Sequence, residues 1–248
     1  MAIEIGHVDA IYRYPVKSMR GEQLEAAELG WHGIEGDRRL ALRRMNDRGG
    51  FPWLTAGKLP ELVLFAPQHR EGYGAGKLPT HVRTPEGAEM DAFGEALAAE
   101  LGRRHGAAVQ MTHLKQGVFD EASLSVIATD TVQEIGRLAG RGLDVRRFRP
   151  NVVVRLLRPA AFQEDEWVGG VLRFGEGGDA AAVSVTMRDL RCSMVNLDPD
   201  SASAAPEVLK TIARANQAYA GIYAAVTRAG RLAVGQAITL HAAHERRE

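Results

Sequence analysis

Short apolar runs broken by turn residues recur from one end of this chain to the other, and that pattern limits it to folds made of many short strands. Ile3, Ile5, Val8 and Ile11-Tyr12 alternate as a strand does and lead into Tyr14-Pro15-Val16-Lys17-Ser18. Arg39–Arg43, Leu62–Phe65, Val109–Met111, Leu124–Ile127, Asn151–Leu156, Ala181–Thr186, Ile222–Val226 and Ala237–Leu240 read as further strands. Gly30–Asp37 is a turn-rich connection, and residues 66–80, with Pro67, Gly72, Gly74, Gly76 and Pro79, read as a loop. Helical spacing appears three times. Phe93, Leu97 and Leu101 recur behind Asp91 as a cap. Thr129–Gln133 opens a helix carrying Val132, Ile135 and Leu138, with Asp130 and Gln133 as a capping box. Pro206 opens a third, with Leu209 and Ile212 inward. Many short strands with few helices predict an α+β chain dominated by β: a mainly antiparallel, barrel-like architecture with peripheral helices. A compositional boundary falls near residues 114–122, and the tail His244–Glu248 reads as frayed.

Composition narrows the function. The 248 residues carry a formal net charge of +0, which disfavours bulk nucleic-acid binding but leaves room for a local basic pocket. No apolar run approaches the roughly 20 residues of a membrane span, and Met1–His7 lacks the pattern of a signal peptide. The single cysteine, Cys192, fits a reducing compartment, so a cytoplasmic location is expected.

That cysteine cannot staple the fold, so its role is packing, nucleophilic chemistry or metal ligation. Free cysteine is commonly a small buried hydrophobe. Against that, Arg191 and Arg188 would favour a thiolate if they approach the sulfur, and the strand before it ends close by, ahead of the turn Asn196-Leu197-Asp198-Pro199. Both readings stand on the residues alone. Cations also gather where the backbone turns: Lys17-Ser18 after Pro15, Arg38 and Arg39 after the glycine-rich turn, and Arg146-Arg147-Phe148-Arg149-Pro150-Asn151 ahead of a buried strand. Singly each is a solvated charge; together they suit phosphate or carboxylate, which the guanidinium fork binds in a bidentate manner. There is no G-x-S-x-G, Walker loop, C-x-x-C or H-E-x-x-H, the histidines lack ligand spacing, and Trp31, Trp53 and Trp167 read as isolated packing residues.

Taken in order, Tyr14-Pro15-Val16-Lys17-Ser18, Gly33-Ile34-Glu35-Gly36-Asp37-Arg38 and Leu54-Thr55-Ala56 resemble the N-terminal β-barrel region of MOSC proteins. Phe148-Arg149-Pro150-Asn151, Asp165-Glu166-Trp167, Arg191-Cys192, Asp198-Pro199 and Leu232-Ala233-Val234-Gly235-Gln236 resemble the MOSC domain itself. The pattern is similar in kind to the mitochondrial amidoxime-reducing component and its bacterial relatives. The resemblance implies an N-terminal barrel region over 1–118 and a MOSC domain over 119–248, as separate or interleaved bodies. It further implies a molybdenum-molybdopterin cofactor with Cys192 as thiolate ligand to the metal and as the catalytic residue. Lys17, Ser18, Arg38, Ser123, Arg147, Arg149, Asn151 and Arg191 would hold the pterin. The activity implied is reduction of small N-hydroxylated compounds, amidoximes and hydroxylamines. Electrons would come from a separate donor protein of ferredoxin, flavoprotein or cytochrome type, since the chain has no cysteines for an iron–sulfur cluster. The alternative is a carrier, of the cofactor itself or of sulfur as a persulfide on Cys192. Ser193-Met194-Val195-Asn196 stands where the amidoxime-reducing relatives carry threonines, and the acidic turn lacks their glycine, so substrate preference is open.

Overall fold

The computed structural model describes residues 2–69 and 78–242. In chain order the first half runs β1 (Ala2–Arg13), β2 (Glu22–Leu24), β3 (Ala26–Gly30), β4 (Gly33–Ile34), β5 (Leu40–Arg44), a 3-10 turn (Pro60–Leu64), β6 (Ala66–Gln68), β7 (His81–Arg83), β8 (Glu89–Asp91), α1 (Glu95–His105) and β9 (Val109–His113). The second half runs β10 (Leu124–Ala128), α2 (Thr129–Leu138), β11 (Val152–Leu156), β12 (Val171–Phe174), β13 (Ala181–Leu190), α3 (Glu207–Asn216), β14 (Tyr219–Arg228), β15 (Gly230–Ala233) and β16 (Ala237–His241).

Seven of these strands close a ring in the order β11-β10-β14-β13-β12-β16-β1, because β1 pairs with β11 as well as with β16. The barrel is therefore completed by the N-terminal strand. Its pairs are antiparallel except β10 with β11, whose parallel pairing requires a crossover, supplied by α2. The interior is filled by Val8, Leu124, Val126, Val154, Phe174, Val183, Ile222 and Ile238, with Trp167 sealing it. The alternate residues of the same strands, Ala10, Tyr12, Ile127 and Val153, face outward but are covered by α2 and α3 through Val132, Ile135, Val208 and Ile212. Burial on both faces is why Leu124–Ala128 and Val152–Val154 read as unbroken apolar runs rather than alternating ones. A second core, around Val16, Leu40, Leu54, Leu62, Phe65, Leu97 and Leu101, packs the 3-10 turn and α1 against β5 and β9.

Several local expectations are corrected. Leu62–Phe65 is not a strand: Pro60 opens a 3-10 turn there that sends Leu62 and Val63 into the second core. An apolar run this short does not distinguish strand from helix by its period. Within 66–80, Ala66–Gln68 is a strand paired with β7; Gly72, Gly74 and Gly76 lie outside the described residues, as does His244–Glu248. Asp91 belongs to β8 and caps nothing; Gly94 precedes α1, and Phe93 is exposed. Neither Asp130 nor Gln133 caps α2, which starts from Ala128, and Leu138 points to solvent. Instead the buried Glu164 carboxylate accepts from Ala128 N (3.3 Å) and Thr131 Oγ1 (2.8 Å) at that helix start. Pro206 sits one position before α3, whose buried residues are Val208 and Ile212, with Leu209 partly covered. Trp31 is two-thirds exposed, whereas Trp167 is core.

Candidate functional site

The barrel and the second core meet along one seam, and a cavity of about 370 Å³ opens there. Its barrel side is the outer wall: Ser125 on β10, Asp189 and Leu190 on β13, Tyr223 on β14. The other side comes from the segments that leave the second core, with Lys17, Ser18, Thr55 and Gly57. Sequence-distant cations thus converge: Lys17, Arg38, Arg147, Arg149 and Arg191 line one space together with Ser18 and Cys192.

The backbone that presents them is unusual. Ser18, Arg38 and Arg149 all hold left-handed conformations (φ 67°, 50° and 50°), a region that costs a residue with a Cβ of order 1 kcal/mol and that concentrates at functional sites. Two chain crossings hold them. Lys17 N donates to Leu40 O (2.8 Å) and Arg38 N to Tyr14 O (2.7 Å), locking the two turns side by side. The fully buried Asp37 accepts from Tyr14 N (2.7 Å) and from the Arg38 guanidinium. That pair outweighs the cost of burying the Arg38 cation and holds its pKa above the ordinary value.

The cations differ in what neutralises them. Lys17 pairs with Asp120 at 2.7 Å. Burial pulls the Lys17 ammonium below its usual pKa against the attraction of Asp120; burial raises the Asp120 carboxyl, but Lys17, Arg38 and Arg149 together bring it below its usual range. Arg147 donates to Asn196 O (3.0 Å) and Asp198 (2.7 Å), tying down the short turn Ser193–Asn196 that Cys192 begins. Arg191 is committed to Ala220 O (2.6 Å), Phe148 O (2.8 Å) and Asp189 (2.9 Å). Arg149 alone among these five has no carboxylate in contact among the described residues. It lies over the Tyr14 ring (4.2 Å to the centroid), donates Nη1 to Met19 O (2.8 Å) and leaves Nη2 buried without a partner. Burial brings its pKa down to about 10, so it stays charged at neutral pH.

Two sequence-derived site residues are elsewhere. Asn151 does not line the cavity; it is buried behind it, where its Oδ1 accepts from Arg38 Nη1 (3.2 Å) and Ser125 N (3.2 Å) and its Nδ2 donates to Tyr12 O (3.2 Å). It brackets β1, β10 and Arg38 together. Ser123 packs under Gly33, whose positive φ and lack of a Cβ this contact needs: a Cβ there would come 2.5 Å from Ser123 O. Ser125, two positions on, does reach the cavity. Arg188 does not line the cavity; it stacks on Tyr219 (4.0 Å) and pairs with Asp165 (2.9 Å) and Asn216 (2.7 Å).

Cys192 is exposed and lines the cavity, which removes the packing reading. Among the described residues no three His, Cys, Asp or Glu side chains group as a metal site, so a metal here would bring most of its ligands with it. The residues that sequence reasoning missed are Asp120, Ser125, Asp189 and Tyr223. Asp189 is buried, accepts from Ser125 Oγ (3.0 Å), and burial raises its carboxyl pKa despite Arg191; burial and then Asp189 also raise the Tyr223 phenol. Leu124–Ile127 and Ile222–Val226 were legible as strands, but which of their polar residues faced a cavity depended on the covering elements; Asp189 lies on β13 beyond the expected strand Ala181–Thr186, which in the structure continues to Leu190.

No helix among the described residues is long and apolar enough to cross a membrane. Over its whole length the chain is similar in fold to the YuaD protein from Bacillus subtilis, with 15% identity, 98% of each chain covered and a TM-score of 0.53. YiiM from Geobacillus stearothermophilus aligns over 48% of this chain and 53% of its own, at 18% identity and a TM-score of 0.37. No curated protein matches the chain significantly. The MOSC N-terminal β-barrel model matches residues 5–123 and the MOSC domain model residues 87–239, a family associated with molybdenum-cofactor binding. The chain belongs to the MOSC-domain family.

Proposed function

We propose that the seam cavity binds a molybdenum-molybdopterin cofactor and that the protein is an oxidoreductase for small N-hydroxylated compounds, supplied with electrons by a separate protein. The observation that carries the reading is Arg149: a charged guanidinium with a buried, unpartnered Nη2 and no carboxylate, facing the same space as Lys17, Ser18 and Arg38. Unpaired buried cations are costly, and a phosphate-bearing ligand is the chemistry that repairs them.

The fit extends to the sulfur. Cys192 is held at the cavity by the turn that Arg147 anchors, and as a thiolate it suits a sulfur-rich molybdenum centre. When bound, the cofactor would supply two-electron chemistry for removing the oxygen of an N–O bond. The chain's own parts do the rest. Lys17, Ser18, Arg38 and Arg149 grip the anionic end. Asp120 positions Lys17, Asn151 positions Arg38, and Arg191 braces the strand end that carries Cys192. Leu190 and Met194 give the wall beside the thiol an apolar surface for an organic substrate. The domain assignment 1–118 and 119–248 remains a division of the sequence, with β1 contributed by the first part to the barrel of the second.

The test is made on protein expressed in a host that makes the cofactor. Stoichiometric molybdenum and pterin, both lost in Cys192→Ala or the metal alone lost, with benzamidoxime reduction driven by a chemical electron donor, support the enzyme. A persulfide on Cys192 with no molybdenum and no reductase activity overturns it in favour of the sulfur carrier. Bound cofactor without turnover favours the cofactor carrier.

A further inference from the structure

The barrel wall of the seam cavity carries a second cluster, which gripping the cofactor does not use: Ser125, Asp189 and Tyr223. Strand register brings them together. Ser125 lies opposite Tyr223 in the β10–β14 pair, so both side chains project to the same side of the sheet. Asp189 joins them because β13 is bulged. Val183 and Val185 point into the barrel, and unbroken alternation would send Met187 and Asp189 after them. The register shift between Val185 and Met187 adds one residue to β13 and turns Met187 and Asp189 to the outer wall. Met187 is accordingly exposed, while Asp189 accepts from Ser125 Oγ (3.0 Å) and shares a hydrogen bond with the Tyr223 phenol. Arg191 closes the cluster, 2.9 Å from Asp189, in room left by Gly221 (φ 82°), where a Cβ would come 3.0 Å from Arg191 Nη2.

Asp189 is 1% exposed and Ser125 4%, whereas Tyr223 is half-buried, so a molecule in the cavity meets the phenol, with the acid behind it. We propose that Tyr223 is the proton donor of the seam cavity and that Asp189, acting through it, is the positioning residue that resupplies the proton. The assignment rests on the reductase reading of this cavity. Cleaving the N–O bond of a hydroxylamine or amidoxime takes two electrons from the separate donor protein, which is oxidised, and two protons. One proton ends on nitrogen and one on the departing oxygen, which leaves as water. The Tyr223 hydroxyl gives the oxygen its proton while taking one from Asp189, so no free phenolate forms. The carboxylate left behind is held by Arg191 and Ser125 Oγ. It is reprotonated through Tyr223 once the product has left, and the nitrogen takes its proton from water at the open mouth. The charged groups that bear on the pair are Arg191, Asp120 and Arg38, and against the cations burial still holds carboxyl and phenol above their ordinary pKa values, favouring the protonated forms.

Two measurements on the full chain test it. In protein from a cofactor-making host, benzamidoxime reduction by reduced methyl viologen is followed beside molybdenum and pterin content. Tyr223→Phe is expected to lose about a hundredfold in kcat with KM and cofactor content unchanged. Imidazolium buffer at constant pH should restore part of that turnover and leave the wild type unaffected, a response that a lost structural contact does not give. Asp189→Asn should lose about tenfold in kcat and stands in if Tyr223→Phe does not fold. The second measurement needs neither cofactor nor turnover. The Tyr223 phenolate titration, read as the ultraviolet difference from Tyr223→Phe, should move down toward the ordinary phenol range in Asp189→Asn, because the carboxylate charge helps to hold it up. Loaded Tyr223→Phe protein that turns over like the wild type, or a phenol midpoint indifferent to Asp189→Asn, overturns the proton donor and leaves the cofactor site standing. Wild-type protein that takes up no molybdenum overturns the reductase reading and the proton donor with it.

Discussion

Arg104 and Arg149 both sit over aromatic rings and differ in what neutralises them. Arg104, at the end of α1, lies over Phe65 (5.2 Å) and is surrounded by Glu61 (2.7 Å), Glu86 (2.6 Å) and Glu100 (2.6 Å). Arg149 lies over Tyr14 and contacts no acid among the described residues. The first is a finished structural device, saturated by groups on three elements near the surface. The second is held by left-handed backbone and one carbonyl, with a donor left over. Arg104 is saturated by the chain's own carboxylates, whereas Arg149 is buried and short of acceptors, which the proposed function assigns to a bound anion.

The comparison can be broken most sharply at Arg149. Arg149→Met should lower pterin retention about ten- to hundredfold, the loss of one or two charge-assisted contacts, while thermal stability of the cofactor-free protein is not lowered. Pterin content after gel filtration, beside a melting curve, reads both. Loss of stability with retained pterin would make Arg149 structural, like Arg104.

Glu164 sharpens the same contrast from the acid side. It is a buried carboxylate with no cation, satisfied only by Thr131 Oγ1 and Ala128 N, and burial pushes its pKa up to about 7 from an ordinary 4.5. Between those two values the unfolded chain has lost this proton while the folded one keeps it, so stability falls as pH rises across that window. Glu164→Gln should remove a decline of about 2 kcal/mol between pH 5 and pH 7, read as urea midpoints at the two pH values. A slope that survives the substitution assigns the titration to another group.

Smaller effects follow at the partners. Asp120→Asn frees Lys17 from its ion pair, so an anionic ligand should be retained about fivefold more tightly, roughly 1 kcal/mol, as seen in dissociation of pterin on dilution. Arg104→Met should cost less than about 1 kcal/mol in stability and leave pterin content unchanged, because its ion pairs are exposed on the carboxylate side.

How much of this could be read from the sequence depended on whether the information was local. The strands β1, β5, β9, β10, β11 and β16 announce themselves by apolar runs between turn residues, and the three helices by spacing. Lys17, Ser18, Arg38, Arg147, Arg149 and Cys192 were visible because each stands at a turn or strand end beside a motif. Ser125, Asp189 and Tyr223 were not, because a polar residue inside a strand reveals neither which side it faces nor what covers that side. The 3-10 turn at Pro60–Leu64 and the exposure of Phe93 and Leu138 likewise hang on neighbours far away in sequence. Asn151 was marked by its motif, and its observed contacts are with Arg38 Nη1 and Ser125 N behind the cavity.

The proposed function requires the seam cavity to be a cofactor site closed by one sulfur and several cations. A crystal structure of the protein from a cofactor-replete host tests it most directly. The expected result is a molybdenum signal bonded to Cys192 Sγ and a phosphate among Lys17, Ser18, Arg38 and Arg149. Metal-loaded protein with that cavity vacant, or a phosphate group bound away from these side chains, would contradict it.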